Sequence, residues 1–215
     1  MEIKYFLIEL FLLFVVSRAV VARIYLSIHK LSGSKKTAVV FFSTLFLPGT
    51  YVHEMAHYLT AVLLAVPVGE LDLGPRFEER GIRLGSVEIA KTDPVRRFVV
   101  AFAPMFVGIL SISALVMVMY IYRVNIPWWG FVVGVYMAFV IGNTMFLSRR
   151  DLEAMGTFMI IIVAVTFVLG LFGVDYSLVF ELMAKEEVRY IFRTLDLILA
   201  VVIGLNVAIL GIFLI

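Results

Sequence analysis

His53-Glu54-Met55-Ala56-His57 stands inside the apolar segment 38–66, and its reading decides what the chain is. In a helix, residues four apart lie one turn above one another on the same face, so both imidazoles project together. That spacing lets two histidines hold one Zn²⁺ from two directions. Glu54 then stands beside the open coordination position, where it can take a proton from an attacking water. The chain has only three histidines, and two of them fall in this pattern. The alternative is a pair of helix-face histidines with an incidental glutamate. Placing His, Glu and His in a lipid-facing helix is costly, however, unless they line a water-filled cavity or meet a partner, so an intramembrane cluster is read as a functional site.

The surroundings are those of a membrane protein. Of the 215 residues, 63% are hydrophobic, and the mean hydropathy is +1.07, whereas soluble domains are roughly half apolar. A net charge of +2 gives no reason to expect nucleic acid as a partner, and no motif points to a nucleotide. With no cysteine there is no disulfide framework, thiolate metal site or thiol nucleophile, so any metal must use His and carboxylate ligands. Met1-Glu2-Ile3-Lys4 runs directly into an apolar stretch without a basic region and a small-residue cleavage site, which predicts a retained helix rather than a signal peptide.

Working outward, the pattern predicts an all-α polytopic membrane protein forming one domain over residues 1–215, with about six transmembrane helices and a small β-hairpin or sheet at the membrane surface between the second and third. The spans are 5–27, 38–66, 98–122, 126–147, 154–173 and 194–215. Residues 28–37 read as a polar loop. Pro48-Gly49, just before the histidines, predicts a kink or break. At 1.5 Å per residue, His57 lies roughly 14 Å and His53 roughly 20 Å from the end near Val66. The long polar stretch is 67–97. There Leu71 and Leu73 alternate with Glu70 and Asp72, Gly74-Pro75 marks a turn, and Ile82 and Leu84 stand out of phase with Val87 and Ile89, which predicts a β-bulge at Gly85-Ser86. Pro127-Trp128-Trp129 reads as an interfacial anchor opening the fourth span. Residues 174–192 read as solvated or interfacial, and Arg18, Arg23, Asp196 and Asn206 as structural.

Two histidines do not complete a catalytic zinc site, which usually takes three protein ligands and a water. His29 belongs to the first loop, on the opposite side, so a carboxylate must serve. Asp151 and Glu153 are the candidates nearest a span on the correct side.

At this point the chain resembles the site-2 proteases, the intramembrane zinc metalloproteases, in a minimal form without a PDZ or other accessory domain. His53-Glu54-Met55-Ala56-His57 matches that family's HExxH, and Asn143 and Asp151 match its distal Asn and Asp at an eight-residue offset. The likeness spans roughly residues 40–155 and includes the polar insert and Ala103-Pro104. Phe146 stands where that family usually has proline, Leu152 where glycine often follows the aspartate, and Val107 where asparagine is frequent. The resemblance implies one Zn²⁺ held by His53, His57 and Asp151, Glu54 as general base, and Asn143 as a substrate-backbone contact. It also implies cleavage of transmembrane protein substrates within the lipid bilayer, in or near their membrane segments.

An irregular run between Asn143 and Asp151 must line a cavity rather than face lipid. A helical substrate must be locally extended to be cut, and the edge of the 69–90 sheet could supply the backbone hydrogen bonds it loses. Other classes remain open. A metal transporter would scatter ligands over several helices without Glu54, and an inactive, membrane-protein-binding pseudo-protease would be expected to lack a ligand or Glu54. With six spans, the side carrying the N-terminus, the insert and Arg149-Arg150 has nine Lys or Arg against seven, which leans towards a cytoplasmic N-terminus with the zinc nearer that face.

Overall fold

A computed structural model describes residues 2–74, 76–78, 81–146 and 149–212, with the side chains of 76–78, 81–83, 149–150, 152–155, 178–180 and 182 left aside. The helices are α1 (Glu2–Ser32), α2 (Lys35–Leu63), α3 (Pro94–Ile121), α4 (Trp128–Thr144), α5 (Arg149–Leu171), α6 (Ser177–Ala184) and α7 (Glu186–Ile212). Four short strands, β1 (Val68–Asp72), β2 (Arg76–Glu78), β3 (Gly81–Arg83) and β4 (Ser86–Ile89), fill the stretch between α2 and α3. Among the described residues three helices, α1, α3 and α7, are long and apolar enough to cross a membrane.

The expected loop at 28–37 is almost entirely helical. Only Gly33 and Ser34 separate α1 from α2: Gly33 takes φ +63°, and the Ser34 hydroxyl accepts from the Thr37 amide to cap α2. A left-handed glycine followed by an N-cap reverses the chain in two residues, where composition suggested ten. His29 therefore sits in the last turn of α1, stacked on Tyr25, rather than in a loop.

Of the kink or break expected at Pro48, the break does not occur; α2 runs as one helix through it. Proline in a helix interior costs about 3 kcal/mol, and the packing around it opposes a break. Phe46 is buried against Phe139 of α4, and a Cβ on Gly49 would lie 2.5 Å from the Val140 carbonyl oxygen, so α4 rests directly on the α2 backbone. The helix ends at Leu63, three residues before Val66. Measured along its axis, His57 is then roughly 9 Å and His53 roughly 15 Å from that end, nearer than the longer span implied.

The polar insert forms two separate two-stranded antiparallel sheets, β1 with β4 and β2 with β3. Ile82 therefore answers to β2, while Val87 and Ile89 answer to β1. The phase change at Gly85-Ser86 is the gap between two strands of different sheets and not a bulge inside one. The register irregularity falls in β1 instead, between Val68 and Leu71. Pro75, of the expected Gly74-Pro75 turn, lies outside the described residues.

Helix directions follow from specific contacts. Tyr136 donates to the Leu45 carbonyl, and Gly49 abuts Val140 and Thr144, so α4 runs parallel to α2. Gly134 abuts Met119 and Gly108 abuts Met145, so α4 is antiparallel to α3. Glu2 pairs with Arg189 at 3.1 Å and Phe6 with Phe192, so α7 is parallel to α1. Thus α1, α2, α3, α4 and α7 alternate in direction around a core that includes Leu13, Phe46, Ile112, Leu199 and Val202. Six successive crossings would have left α1 and α7 antiparallel. The difference lies in α5, which meets α3 where Phe158 stacks on Phe98 at 4.2 Å, and whose residues 159–171 are all exposed.

Candidate metal centre

Each part of the site comes from a different reason for local structure. His53, Glu54 and His57 share one face of α2 because the helix is unbroken there, and all three are buried. The two imidazole rings stand edge to face with centroids 4.9 Å apart. Asp151 arrives from the first turn of α5, just after the chain leaves helical geometry at Met145 and Phe146. Its Oδ1 lies 3.6 Å from His57 Nε2. One ligand atom each from His53, His57 and Asp151 fall within 4.8 Å of one another. The side chain of Glu153, the other carboxylate weighed as third ligand, lies outside the described residues.

The donor chemistry suits a metal ion. His57 Nδ1 is 2.8 Å from the Val100 carbonyl oxygen, which can only accept, so Nδ1 carries the proton. His57 Nε2 then faces the Asp151 carboxylate oxygen, and in a buried site a proton or a metal ion must lie between the two. Two ligands at about 2.0–2.1 Å from a tetrahedral zinc stand roughly 3.3–3.4 Å apart, close to the observed separation. A backbone carbonyl fixing the distal nitrogen is the usual support of a metal-binding histidine. Nothing in the sequence marks Val100 for this part, since any residue supplies a carbonyl.

The cluster opens on a cavity of about 1080 Å³ that β4 also lines. Gly85 closes the sheet onto α2. A Cβ there would lie 2.9 Å from Glu54 Cγ and 2.9 Å from Thr50 Cγ2, so only glycine lets the strand pass this near the glutamate. Asn143 reaches the same cavity, but both amide hydrogens are engaged, one to the Phe139 carbonyl and one to Asn206 Oδ1, each at 2.8 Å. Its Oδ1 has no hydrogen-bond partner among the described residues. Asn143 therefore has no donor left for a substrate, and its one unpartnered acceptor atom is buried. Asn206, fully buried, and Ser17, whose hydroxyl donates to the Asn143 carbonyl, tie α7 and α1 to this segment.

The arrangement can hold one divalent cation beside the Glu54 carboxylate, with a cavity and strand β4 alongside. No family model matches the chain, and neither a curated protein nor a solved structure matches it.

Proposed function

We propose that the protein is an intramembrane zinc metalloprotease that hydrolyses peptide bonds in or near transmembrane segments of other membrane proteins. The observation that carries this reading is the meeting of Asp151 Oδ1 with His57 Nε2 at 3.6 Å, beside Glu54 and under a His57 Nδ1 tied to a carbonyl. A catalytic helix pair with an open side needs just these groups, and the resemblance of the same residues to the site-2 proteases agrees with it.

His53, His57 and Asp151 would hold the ion. When bound, Zn²⁺ supplies Lewis-acid polarisation of a carbonyl and lowers the pKa of water towards neutrality. Glu54 accepts the proton of the attacking water and returns it to the leaving amine nitrogen. Asn143, at the cavity wall, would contact the extended substrate, and β4 offers a ladder for its backbone groups.

Metal analysis of the purified protein should find about one zinc per chain. Cleavage of a transmembrane substrate in detergent or vesicles should stop with a chelator and return with zinc. Zinc-free protein that cleaves at an unchanged rate would sink the proposal.

The alternation of α1, α2, α3, α4 and α7 fits five crossings, with α4 and the start of α5 sharing one. Lys185, Arg189 and Arg193 then join the end of the bundle that holds the N-terminus and the sheets. With Arg149 and Arg150 inside the shared crossing, ten Lys or Arg lie there against four at the other end, a stronger bias than six spans give, and it favours a cytoplasmic N-terminus with the metal centre nearer that face. The chain has no native cysteine, so single cysteines at Gly33 and Lys185 should react with a membrane-impermeant thiol reagent from opposite sides. Labelling of both from one side would restore an even number of crossings between them.

The strand edge gives a further expectation. The Ala90 amide donates to the Pro67 carbonyl on the β1 side. Strand alternation then turns the amides of Ser86 and Glu88 towards β1, and those of Val87 and Ile89 towards the open edge. Val87→Pro and Ile89→Pro should slow cleavage about tenfold with zinc content and melting temperature retained, whereas Glu88→Pro should destabilise the sheet. Normal cleavage by both edge variants would place the substrate elsewhere.

A further inference from the structure

Arg18 is a cation in the middle of an apolar helix. It stands roughly 24 Å along α1 from Glu2 and roughly 21 Å from Ser32. Centred on this helix, a hydrocarbon layer about 30 Å thick would leave it roughly 15 Å from either face. A guanidinium reaches only about 6–7 Å from its own Cα, so snorkelling does not bring it to water. At that depth an arginine needs an aqueous cavity, a counter-charge, or both.

Arg18 has the cavity. It lines the same space as Glu54, Asp151 and Asn143. Its level is set by its neighbours: Ser17 donates to the Asn143 carbonyl, and Phe14, whose ring lies 5.1 Å from the Arg18 guanidinium carbon, packs edge-on against Phe146 at 5.5 Å. Among the described residues the Phe14 ring is its one charge-related contact, and no carboxylate pairs with it. Glu54 and Asp151 line the same space, and Asp151 Oδ1 faces His57 Nε2. Lipid headgroups lie too far away to serve at that depth, whereas the exposed Arg18 side chain lines the cavity that a peptide would enter.

Resting on the protease reading, we propose that Arg18 is a carboxylate-recognition residue for the peptide in the cavity. The carboxylate has two sources. One is an Asp or Glu side chain of the substrate near the scissile bond. The other is the new C-terminus, which forms when water's oxygen adds to the carbonyl carbon, the C–N bond breaks and the amine leaves with the proton. In either case a charge-assisted, two-pronged hydrogen bond in a site of low dielectric gives the discrimination.

The test uses full-length wild-type protein, Arg18→Gln and Arg18→Lys, with apolar peptides carrying Asp or Asn at each position flanking the cut. It adds the N-terminal product as free acid or as carboxamide. For a side-chain source, wild type should prefer Asp over Asn at one position by about ten- to a hundredfold in kcat/KM. For a product source, the free acid should inhibit and bind more tightly than the carboxamide by a similar factor. Arg18→Gln should lose the preference, and Arg18→Lys should keep part of it. Equal treatment of acid and amide by wild type overturns the proposal even if no variant folds, as does a preference that survives in Arg18→Gln. Direct binding of labelled free-acid and carboxamide peptides is read without turnover. Failure to cleave anything therefore counts against the protease reading, and failure to discriminate in binding counts against Arg18.

Discussion

Glu54→Gln should lower the rate of peptide cleavage by about a hundred- to ten-thousandfold while leaving zinc content unchanged. Glu54 is buried on the same helix face as the two histidines and lines the cavity, but it is not one of the three groups whose ligand atoms cluster. On the protease reading its carboxylate serves the water and not the ion. Glutamine keeps the shape and the hydrogen-bonding capacity of the side chain and removes only its ability to take a proton. The narrow space left by Gly85 accepts glutamine as readily as glutamate, so folding is not at risk. Zinc by mass spectrometry, together with single-turnover cleavage of a transmembrane substrate, separates the outcomes. Near wild-type cleavage by the variant removes Glu54 from the chemistry, and loss of zinc would make it a ligand.

Asp151→Ala should release most of the zinc, with affinity falling by more than the about 10–100-fold typical of losing a supporting residue, and activity should fall with it. Glu153→Ala should leave both nearly unchanged. Asp151 closes the cluster from the first turn of α5, 3.6 Å from His57. Position 153 stands two residues further along the same helix, roughly 200° around its axis, and it does not share the eight-residue offset from Asn143. Zinc titration against a competing chelator measures the two variants directly. If Glu153→Ala is the damaging change, the third ligand moves and the eight-residue offset from Asn143 is coincidental.

His53, Glu54 and His57 were legible in the sequence because their juxtaposition is a property of one helix: an i, i+4 pair meets whatever the rest of the chain does. The apolar runs were legible for the same reason, since hydropathy reports each segment's own solvent. So was the presence of strands between residues 67 and 97, from alternation over a few residues. The expectation of a carboxylate ligand followed from the lack of cysteine and of a third nearby histidine. Its choice between Asp151 and Glu153 depended on a family likeness, because the residues it joins are far apart in the chain.

What only the tertiary structure decided concerns direction, pairing and backbone atoms. Hydropathy makes α5 look like any other span, and only the parallel packing of α7 on α1, through Glu2 with Arg189 and Phe6 with Phe192, reveals that the directions do not alternate through it. The phase slip at Gly85 has two causes that alternation cannot tell apart, a bulge or a change of partner strand, and the pairing of β4 with β1 selects the second. The Val100 carbonyl that sets the His57 tautomer carries no side-chain signature at all. Asn206 and Ser17 read as unremarkable polar residues in apolar helices until packing brings both to Asn143. Local spacing is written in the chain because a helix enforces it; contacts between helices are written only in the energy of packing them, which no single segment contains.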